Sequence, residues 1–401
     1  MTTYIIIGNG IAANTAAENI RKIDRTGKIL LFSRETYYFY YVPALPEYLS
    51  GEKQVQNITI HNEQWYNQNT IEIHLGTEIT AVDAVQKTVT TGNGQMYAYD
   101  KLLLATGGYS FIPPRKGVPA DGIFALRTID DANKIKERAQ KSKKLVLIGG
   151  GLLGLEAGNS LRKLGIEVSV VEFFTRLLPR QMDGPGAALL QKQMEQMGFK
   201  FYLGARTREI IQEKGGFVVC LEGGEKIPTD MVLVSAGVRP EVTLARSLGL
   251  EIDKGVKVDD TMKTGLDDMY AAGDLIEHRG RFYGIWPASM EQGRVAGCCM
   301  AGKEMKYDGT VLSNTLKVVG IDLVAAGEID ADGKMESIII QDDAAQMYRK
   351  LVVLDNIMIG AILFGDIRGS EQIQSAIKAK RDIASLKKDL ADMHFDFNRL
   401  K

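Results

Sequence analysis

The chain has 401 residues, 45% of them hydrophobic, and a formal net charge of −1, so we expect two to three domains with large cores and no nucleic-acid-binding surface. No apolar run approaches the length of a membrane-spanning helix, and the sequence begins on a strand pattern rather than a signal peptide. The cysteines Cys220, Cys298 and Cys299 form no Cys-x-x-Cys pair, and the histidines are scattered. We therefore predict a cytoplasmic protein with no metal site and no membrane partner.

The first predicted element is an apolar strand that runs into a glycine-rich turn. Residues 4–7 are Tyr-Ile-Ile-Ile, and Gly8-x-Gly10-x-x-Ala13 follows them and opens a small-residue helix. In a dinucleotide-binding turn the first glycine permits the reversal, the second lets backbone N–H groups reach the phosphates, and the third position must be small so that helix and strand pack. The helix N-terminus adds partial positive charge. The pattern predicts a dinucleotide site.

The second strand of this unit is predicted over residues 28–32, and it ends at Ser33-Arg34-Glu35. An acid that binds the ribose hydroxyls usually ends this strand. Here Ser33 occupies that position and Glu35 lies two residues further on. Either residue could bind the adenosine ribose, or the pair could belong to a solvated loop.

An aromatic cluster follows from Tyr37 to Tyr41, and Pro43 comes directly after it. These rings could cover a ring system or form a hydrophobic plug. Residues 70–91 alternate in the manner of hairpin strands. A buried strand then ends in the small-residue turn Ala105-Thr106-Gly107.

A second glycine-rich turn, Gly149-x-Gly151-x-x-Gly154, follows the apolar run of residues 145–148. Two such turns in one chain predict two dinucleotides, one a flavin and the other a nicotinamide. The next strand ends at Glu172, 18 residues after Gly154 and close to the position expected for a ribose-binding acid. A carboxylate there accepts hydrogen bonds from a ribose diol and repels a 2′-phosphate, which favours NADH over NADPH. Arg176 argues in the opposite direction.

Two later turns complete the pattern. The strand of residues 230–234 leads to Ala236 and Gly237, and a strand near residue 270 leads to Gly273 and Asp274, whose carboxylate could reach a ribityl hydroxyl. A helix that opens near Glu291 and Gln292 would place N–H groups where they could stabilise the negative charge of a reduced flavin.

Taken in order, these motifs resemble the two-dinucleotide flavoproteins of the pyridine nucleotide–disulfide oxidoreductase superfamily. The matching pieces are Gly8-x-Gly10-x-x-Ala13, Ala105-Thr106-Gly107, Gly149-x-Gly151-x-x-Gly154 with Glu156, Glu172-x-x-x-Arg176, and Ala271-x-Gly273-Asp274. The resemblance implies an α/β fold with two Rossmann-like domains and a small C-terminal α+β domain with a helical tail. The implied boundaries are 1–109 and 243–312 for a split FAD domain, 110–242 for an NAD domain, and 313–401 for the C-terminal domain.

Within the superfamily the chain is similar to NADH:rubredoxin oxidoreductases and to the FAD/NAD module of nitrite reductases, on Tyr40-x-x-Pro43 with Glu47, the segment 314–322 and the segment 348–363. The resemblance implies that Glu47 and Glu156 lie near the flavin–nicotinamide stack. The residues expected at FAD are Gly8, Gly10, Ile11, Ala12, Ala13, Ser33, Arg34, Glu35, Pro43, Ile79, Ala105, Thr106, Gly107, Arg127, Gly273, Asp274, Glu291 and Gln292. The residues expected at NAD are Gly149, Gly151, Leu152, Leu153, Gly154, Glu156, Glu172, Arg176, Ala236 and Gly237. Relatives often have arginine where this chain has Val42, and an acid where it has Ser33.

Residues 36–50 contain no cysteine, so the thiol relay of the disulfide reductases has no residue to use. We expect no essential general acid or base, and an electron acceptor of the iron–sulfur type, which could be rubredoxin, ferredoxin or a partner subunit. Two alternatives are an NADH oxidase and an NADH-sensing flavoprotein that resembles apoptosis-inducing factor.

The tail, residues 370–401, is predicted to be one helix with a heptad-like apolar stripe. The stripe consists of Ala376, Ala379, Ile383, Leu386, Leu390, Met393 and Phe397. Such a helix could pack on its own C-terminal domain, or it could dock a partner subunit or a second copy of the chain.

Overall fold

The structure is a computed structural model that describes residues 1–114, 116–118, 120–310 and 313–400, with the backbone alone described for 313–318. It divides into two compact units. Unit 1 comprises Met1–Ala44, Lys53–Ser110 and Val238–Thr310, and unit 2 comprises Leu45–Glu52, Phe111–Gly237 and Val311–Lys401. Each glycine-rich turn lies in a different unit.

The strands, in chain order, are β1 (Thr3–Ile7), β2 (Lys28–Phe32), β3 (Ile71–His74), β4 (Ile79–Asp83), β5 (Thr88–Thr91), β6 (Met96–Ala98), β7 (Lys101–Leu104), β8 (Gly108–Ser110), β9 (Ile123–Phe124), β10 (Lys144–Ile148), β11 (Glu167–Glu172), β12 (Lys200–Leu203), β13 (Thr207–Glu213), β14 (Gly216–Leu221), β15 (Lys226–Thr229), β16 (Met231–Val234), β17 (Val238–Pro240), β18 (Val256–Val258), β19 (Met269–Ala271), β20 (Ile276–His278), β21 (Ser313–Val318), β22 (Ile321–Gly327), β23 (Glu336–Asp342), β24 (Met347–Leu354) and β25 (Ile357–Phe364).

The α-helices are α1 (Ile11–Ile23), α2 (Leu45–Ser50), α3 (Val55–Ile58), α4 (Glu63–Gln68), α5 (Ile129–Ala139), α6 (Leu152–Lys163), α7 (Gly184–Gln196), α8 (Thr243–Ser247), α9 (Trp286–Met300) and α10 (Ser370–Lys378). Short 3-10 turns occur at Val42–Ala44, Ala384–Leu386, Asp389–Ala391 and Phe397–Leu400. Within the part of the chain that the structure describes, no helix is both long and apolar enough to cross a membrane.

Unit 1 is built on a five-stranded sheet in the order β19-β7-β1-β2-β3, and all its strand pairs are parallel. The apolar runs of β1 and β2 are buried on both faces, as parallel sheets require. The predicted second strand at residues 28–32 is confirmed. The hairpin prediction for residues 70–91 is only partly right, because Ile71–His74 joins the parallel sheet while β4 and β5 form the antiparallel pair.

Helices α1 and α9 of unit 1 pack against each other with no space between their backbones. A Cβ atom on Gly293 would lie 2.3 Å from the carbonyl oxygen of Ala12, and one on Gly297 would lie 2.4 Å from that of Ala16. Small residues on both helices therefore permit this close approach. It holds the first half of α1 against α9, the helix that follows β19 in the chain.

Unit 2 contains a second five-stranded parallel sheet, in the order β12-β11-β10-β16-β9, and a three-stranded antiparallel sheet, β13-β14-β15. Its C-terminal part is a five-stranded sheet in the order β21-β22-β25-β24-β23, with antiparallel pairs throughout. The predicted α/β class, with two Rossmann-like cores and a C-terminal domain with a helical tail, is confirmed. The numerical domain boundaries stay a prediction.

The tail does not form the single helix predicted for residues 370–401. Helix α10 ends at Lys378, because Lys380 adopts a left-handed backbone with φ 51°, and only 3-10 turns follow. The apolar stripe still finds partners: Ile383, Leu390 and Phe397 are buried in the core that β22, β24 and β25 provide, whereas Ala379 is exposed. The tail therefore packs on its own domain, as the first alternative predicts, and docking of a partner subunit or a second copy stays a prediction.

The approach of α1 and α9 gives a test of stability. Gly297→Ala should lower the free energy of unfolding by about 1–3 kcal/mol, because its methyl group meets the backbone of Ala16 rather than a flexible side chain. Gly265→Ala is the matched control, since nothing lies within 4 Å of a Cβ there, and it should change stability by less than about 0.5 kcal/mol. Denaturant titration measures both, and equal values for the two variants would contradict the packing argument.

Candidate functional site

The first glycine-rich turn connects β1 to α1 in unit 1. Gly8 has φ +120°, and a Cβ atom there would lie 2.0 Å from the carbonyl oxygen of Ala105, so that only glycine fits. At Gly10, by contrast, a Cβ atom would meet no atom of the described residues within 4 Å apart from its own neighbours along the chain, so the backbone faces open space. A tight reversal followed by an open, Cβ-free surface is the shape that admits a pyrophosphate.

The start of α1 offers hydrogen-bond donors to an anion. Gly10 is the N-cap, no side chain caps the helix, and the first turn contains no acidic residue. Arg21 and Lys22 occupy the last turn, where they match the helix dipole. The N–H groups that begin at Ile11 therefore carry partial positive charge that no side chain of the first turn neutralises. Ala12 and Ala13 are buried beneath them.

An asparagine network that the sequence analysis missed holds this turn. The Asn14 amide donates to the carbonyl oxygens of Asn9 and Gly10, both at 3.1 Å, and the Tyr66 hydroxyl donates to Asn14 Oδ1 at 2.7 Å. Burial raises the pKa of Tyr66, so its hydroxyl stays a donor. Burial also lowers the pKa of the neighbouring His61 to about 4. In the sequence the available signal was an asparagine among the small and apolar residues at the start of α1.

At the end of β2, Ser33 and Glu35 have different tasks. The buried Ser33 hydroxyl donates to the Glu35 carbonyl oxygen at 3.1 Å and accepts from the Glu35 N–H at 3.2 Å, so it shapes the turn. The half-buried Glu35 carboxylate accepts from the Tyr40 hydroxyl at 2.7 Å. Arg34 is exposed, and Ile79 is buried at the start of β4.

The turns after β7 and β19 are adjacent in the same sheet. The Thr106 hydroxyl donates to the Glu241 carbonyl oxygen at 2.8 Å. The Gly273 N–H donates to the buried Gln292 amide oxygen at 3.0 Å, and Asp274 accepts from the Ser289 hydroxyl at 3.3 Å. Gln292 therefore supports the Gly273 turn from α9. Ala105 and Gly107 continue the backbone from β7 at this edge of the sheet.

The predicted helix start near Glu291 and Gln292 is wrong. Helix α9 begins at Trp286, with Ile285 as its N-cap and proline within its first two positions. The missed signal was that proline, which favours the first helical turn. Glu291 lies inside the helix and pairs with Arg294, so its N–H group is not at a helix N-terminus.

The aromatic cluster of residues 37–41 packs against Trp286, the first residue of α9. Phe39 stacks on Trp286 with ring centroids 5.8 Å apart, and Tyr41 meets the same indole edge-on at 4.9 Å. Tyr38 stacks on Tyr66 at 5.7 Å. Phe39 is buried, while Tyr41 and Pro43 are exposed. The cluster thus has a buried hydrophobic side, which includes Phe39, and an exposed side, which includes the Tyr41 ring.

The second glycine-rich turn, in unit 2, repeats the geometry of the first. Gly149 has φ +111°, and a Cβ atom there would lie 2.2 Å from the Ser235 carbonyl oxygen, whereas nothing lies within 4 Å of one on Gly151. A Cβ on Gly154 would lie 2.8 Å from the Ser235 Cβ atom, so the third position must be small. Helix α6 has Gly151 as its N-cap, no side-chain cap and no acid in its first turn, which begins with Leu152 and the exposed Leu153.

Glu172 is the last residue of β11, and its carboxylate is bound to the second turn. One oxygen accepts from the Gly150 N–H, and the other accepts from the Phe174 N–H at 2.8 Å. The Arg176 guanidinium donates to the carbonyl oxygens of Pro179 and Met182, at 3.2 Å and 3.1 Å. The Glu172 carboxylate therefore lies at the turn, whereas the Arg176 guanidinium is hydrogen-bonded to the backbone of the loop that follows it.

Exposed rings next to Glu172 were also missed. Phe173 and Phe174 are 52% and 49% exposed, and the Arg206 guanidinium lies 4.5 Å from the Phe173 ring centroid. Ala236 and Gly237 are exposed after β16, at the edge of the same sheet.

Three other predicted residues belong to unit 2. Glu156, in α6, accepts from the Val319 N–H. Glu47 lies in α2, which is held to α6 by the Ser160 hydroxyl bonded to the Pro46 carbonyl oxygen at 2.7 Å. Arg127 precedes α5, and its N–H donates to Asp131. Their predicted places near the flavin stay predictions.

Known proteins match this arrangement. Residues 2–293 match the family described as "Pyridine nucleotide-disulphide oxidoreductase", and residues 313–381 match "Rubredoxin NAD+ reductase C-terminal domain". A nitrite reductase (NAD(P)H) of Bacillus subtilis is 34% identical over 386 residues, which cover 96% of this chain and 48% of the relative. The NADH-rubredoxin oxidoreductase of Clostridium acetobutylicum is 28% identical over 96% of this chain and 97% of its own length.

Among solved structures, the NADH:rubredoxin oxidoreductase of Clostridium acetobutylicum has a TM-score of 0.81 at 28% identity and covers 96% of both chains. A NAD-dependent persulfide reductase from A. fulgidus has a TM-score of 0.88 at 26% identity, over 99% of this chain and 80% of that one. The chain spans about half the length of the Bacillus subtilis nitrite and nitrate reductase relatives, 48% and 51%.

The chain belongs to the pyridine nucleotide-disulphide oxidoreductase family. The family resemblance predicted from the sequence is therefore confirmed, and the predicted cofactor pair, FAD and NADH, is the pair that this family uses. The residues at both turns fit two dinucleotides, because each turn combines an obligatory first glycine, an open second glycine and a helix start without a side-chain cap.

The environment of Glu156 predicts a pH-dependent stability. Burial raises the pKa of Glu156 above the ordinary 4.5, against the opposing effect of the Val319 N–H. The native state therefore holds this proton to higher pH than the unfolded state, so Glu156 reduces stability increasingly as pH rises from 4.5 through the raised pKa. Glu156→Gln keeps an acceptor for Val319 and cannot ionise.

We expect the free energy of unfolding of Glu156→Gln to rise relative to that of wild type as the pH increases from 4.5 through the raised pKa of Glu156, and the difference to level off above that pKa. Urea titrations across this range measure the difference. Two stability curves that stay parallel over the whole range would show that Glu156 does not titrate with a raised pKa.

Proposed function

We propose that this chain is an FAD-dependent NADH reductase that passes electrons to an iron–sulfur protein or subunit. The observation that supports it most is the pair of matching turns, in which Gly8 and Gly149 admit no side chain while Gly10 and Gly151 face open space. The cytoplasmic location and the boundaries of the split FAD domain, the NAD domain and the C-terminal domain are part of this proposal.

FAD is assigned to unit 1 and NADH to unit 2. In unit 1 the N–H groups at the start of α1 would bind the pyrophosphate, the Glu35 carboxylate the adenosine ribose, and Asp274 the ribityl chain. Glu35 is preferred to Ser33 because the Ser33 hydroxyl is already bonded to the Glu35 backbone. When bound, FAD supplies the conversion of a two-electron hydride into single-electron transfers.

In unit 2 the start of α6 would bind the pyrophosphate of NADH, and Glu172 its adenosine ribose. Glu172 already accepts the Gly150 N–H, so its carboxylate is fixed at the edge of the site before NADH arrives. A 2′-phosphate would meet this carboxylate, and Arg176 is bonded to Pro179 and Met182 rather than available to neutralise the phosphate. NADH is therefore the proposed donor.

The acceptor is proposed from the absence of cysteine in residues 36–50 and from the names of relatives. Without a thiol in that segment, electrons must pass from the flavin directly to the acceptor. Relatives include rubredoxin reductases and an assimilatory nitrate reductase electron transfer subunit. A rubredoxin, a ferredoxin or an iron–sulfur subunit is the proposed partner.

The proposed function is tested by rapid mixing under anaerobic conditions. FAD-loaded protein is mixed first with NADH and then with rubredoxin, ferredoxin, ferricyanide or oxygen, while the visible absorbance of the flavin is followed. We expect fast bleaching by NADH and fast recovery with an iron–sulfur protein. Fast recovery with oxygen alone would identify an NADH oxidase, and a reduced state that no acceptor reoxidises would favour a sensing role.

Glu172 provides a test of coenzyme choice. Glu172→Ala removes the ribose acceptor and the partner of the Gly150 N–H, so KM for NADH should rise about tenfold or more, and the preference for NADH over NADPH should narrow. Glu167→Gln, at the exposed start of the same strand, is the control and should leave both values unchanged. A preference that Glu172→Ala leaves unaltered would remove Glu172 from the site.

A further inference from the structure

A cluster of buried charges lies in unit 2 outside both glycine-rich turns. Lys350, Asp183 and Asp330 are only 1%, 4% and 5% exposed. The Lys350 ammonium donates to the Asp330 carbonyl oxygen at 2.7 Å, and it lies 3.2 Å from Asp183 Oδ2 and 3.4 Å from Asp330 Oδ2. Because desolvation offsets much of the attraction between these charges, the cluster is weak evidence for added stability.

Asp183 is the point where the cluster meets the nucleotide-binding part of unit 2. It is the N-cap of α7, and its Oδ1 atom accepts from the Gly186 N–H at 3.2 Å. Its Oδ2 atom accepts from the Tyr348 hydroxyl at 2.6 Å and pairs with Lys350. One carboxylate therefore joins the start of α7 to strand β24 of the C-terminal sheet.

The loop of residues 173–182, which leads to Asp183, packs against the second glycine-rich turn. It begins after Glu172, and the Leu178 N–H donates to the Gly150 carbonyl oxygen at 3.1 Å. A Cβ atom on Gly150 would lie 2.9 Å from the Leu177 side chain. The loop, residues 173–182, is thus attached to the turn at its start, through Glu172, and at its middle, through Leu178, and it is attached to β24 at its end, through Asp183.

We propose that Lys350, acting through Asp183, is a positioning residue for the adenosine half of NADH. By fixing the far end of the 173–182 loop it holds that loop against Gly150 and keeps the Glu172 carboxylate at the turn. This inference rests on the proposed function, since it takes NADH to bind in unit 2. It concerns binding alone, so a change at Lys350 should alter KM for NADH and leave kcat unaltered.

The neighbouring Arg349 offers a matched control. Successive side chains of a strand point to opposite faces. Arg349 is also 1% exposed, but its guanidinium lies 4.9 Å from the Phe397 ring centroid and 3.7 Å from the Asp366 carboxylate, on the side of the tail. Among the contacts of the described residues none joins Arg349 to the 173–182 loop. Arg349→Met therefore removes a buried cation from the same strand without touching the loop.

The test compares NADH with reduced nicotinamide mononucleotide, which lacks the adenosine half. Steady-state kinetics with ferricyanide are measured on FAD-loaded wild type, Lys350→Met and Arg349→Met. We expect Lys350→Met to raise KM for NADH about tenfold while kcat and KM for the mononucleotide stay within about twofold of wild type. Arg349→Met should leave all of these values within about twofold of wild type.

Three results would overturn the inference: an unchanged KM for NADH in Lys350→Met, an equal rise for the mononucleotide, or an equal effect of Arg349→Met. If Lys350→Met does not fold, Tyr348→Phe provides a second test, because it removes one hydrogen bond from Asp183 and keeps the charges. This variant should raise KM for NADH about threefold. An unchanged KM for NADH in Tyr348→Phe would also overturn the inference. A wild-type protein that does not oxidise NADH overturns the proposed function itself, whereas wild-type activity with any of these results overturns only the role of Lys350.

Discussion

The constraint on which both proposed nucleotide sites depend is the contact between the first glycine of each turn and the carbonyl oxygen at the end of a neighbouring parallel strand. Gly8 meets Ala105 and Gly149 meets Ser235, at distances that leave no room for a side chain. This contact places the helix start directly over the strand ends. Because the second glycine then faces open space, the N–H groups of α1 and α6 are presented to a ligand rather than to protein.

Each unit supports its turn in a different way. In unit 1 the support is neutral: Asn14 and Tyr66 hold the backbone from one side, and Gln292 holds the Gly273 turn from α9. Neutral amides satisfy buried backbone groups without placing charge beside the proposed pyrophosphate site. The small residues where α1 and α9 meet allow the two helices to approach closely, and Gln292 of α9 accepts a hydrogen bond from the Gly273 N–H beside them.

In unit 2 the support is ionic. Glu172 binds the turn directly, and the loop that follows it is anchored through Asp183 to Lys350 of the C-terminal sheet. The C-terminal domain therefore contributes to the geometry of the second turn, although none of its residues was expected there. Tyr348 is buried in the core that the C-terminal sheet forms with α6 and α7, whereas the tail packs in a separate core, on the Arg349 side of β24.

The sequence by itself determined the two turns and their strands, because a dinucleotide turn is encoded within about 30 consecutive residues by glycine positions and apolar periodicity. The family and its cofactor pair followed from the resemblance that the ordered motifs carry. The prediction placed the start of α9 too late and extended the tail helix too far. The apolar periodicity continues past the proline near Trp286 and past the left-handed Lys380, so it does not show where either helix begins or ends. Only the tertiary structure decided that Glu172 binds Gly150, that Gln292 serves Gly273, and that Lys350 meets Asp183. Those partners are far apart in the chain, and local patterns carry no information about which buried polar groups long-range packing will bring together.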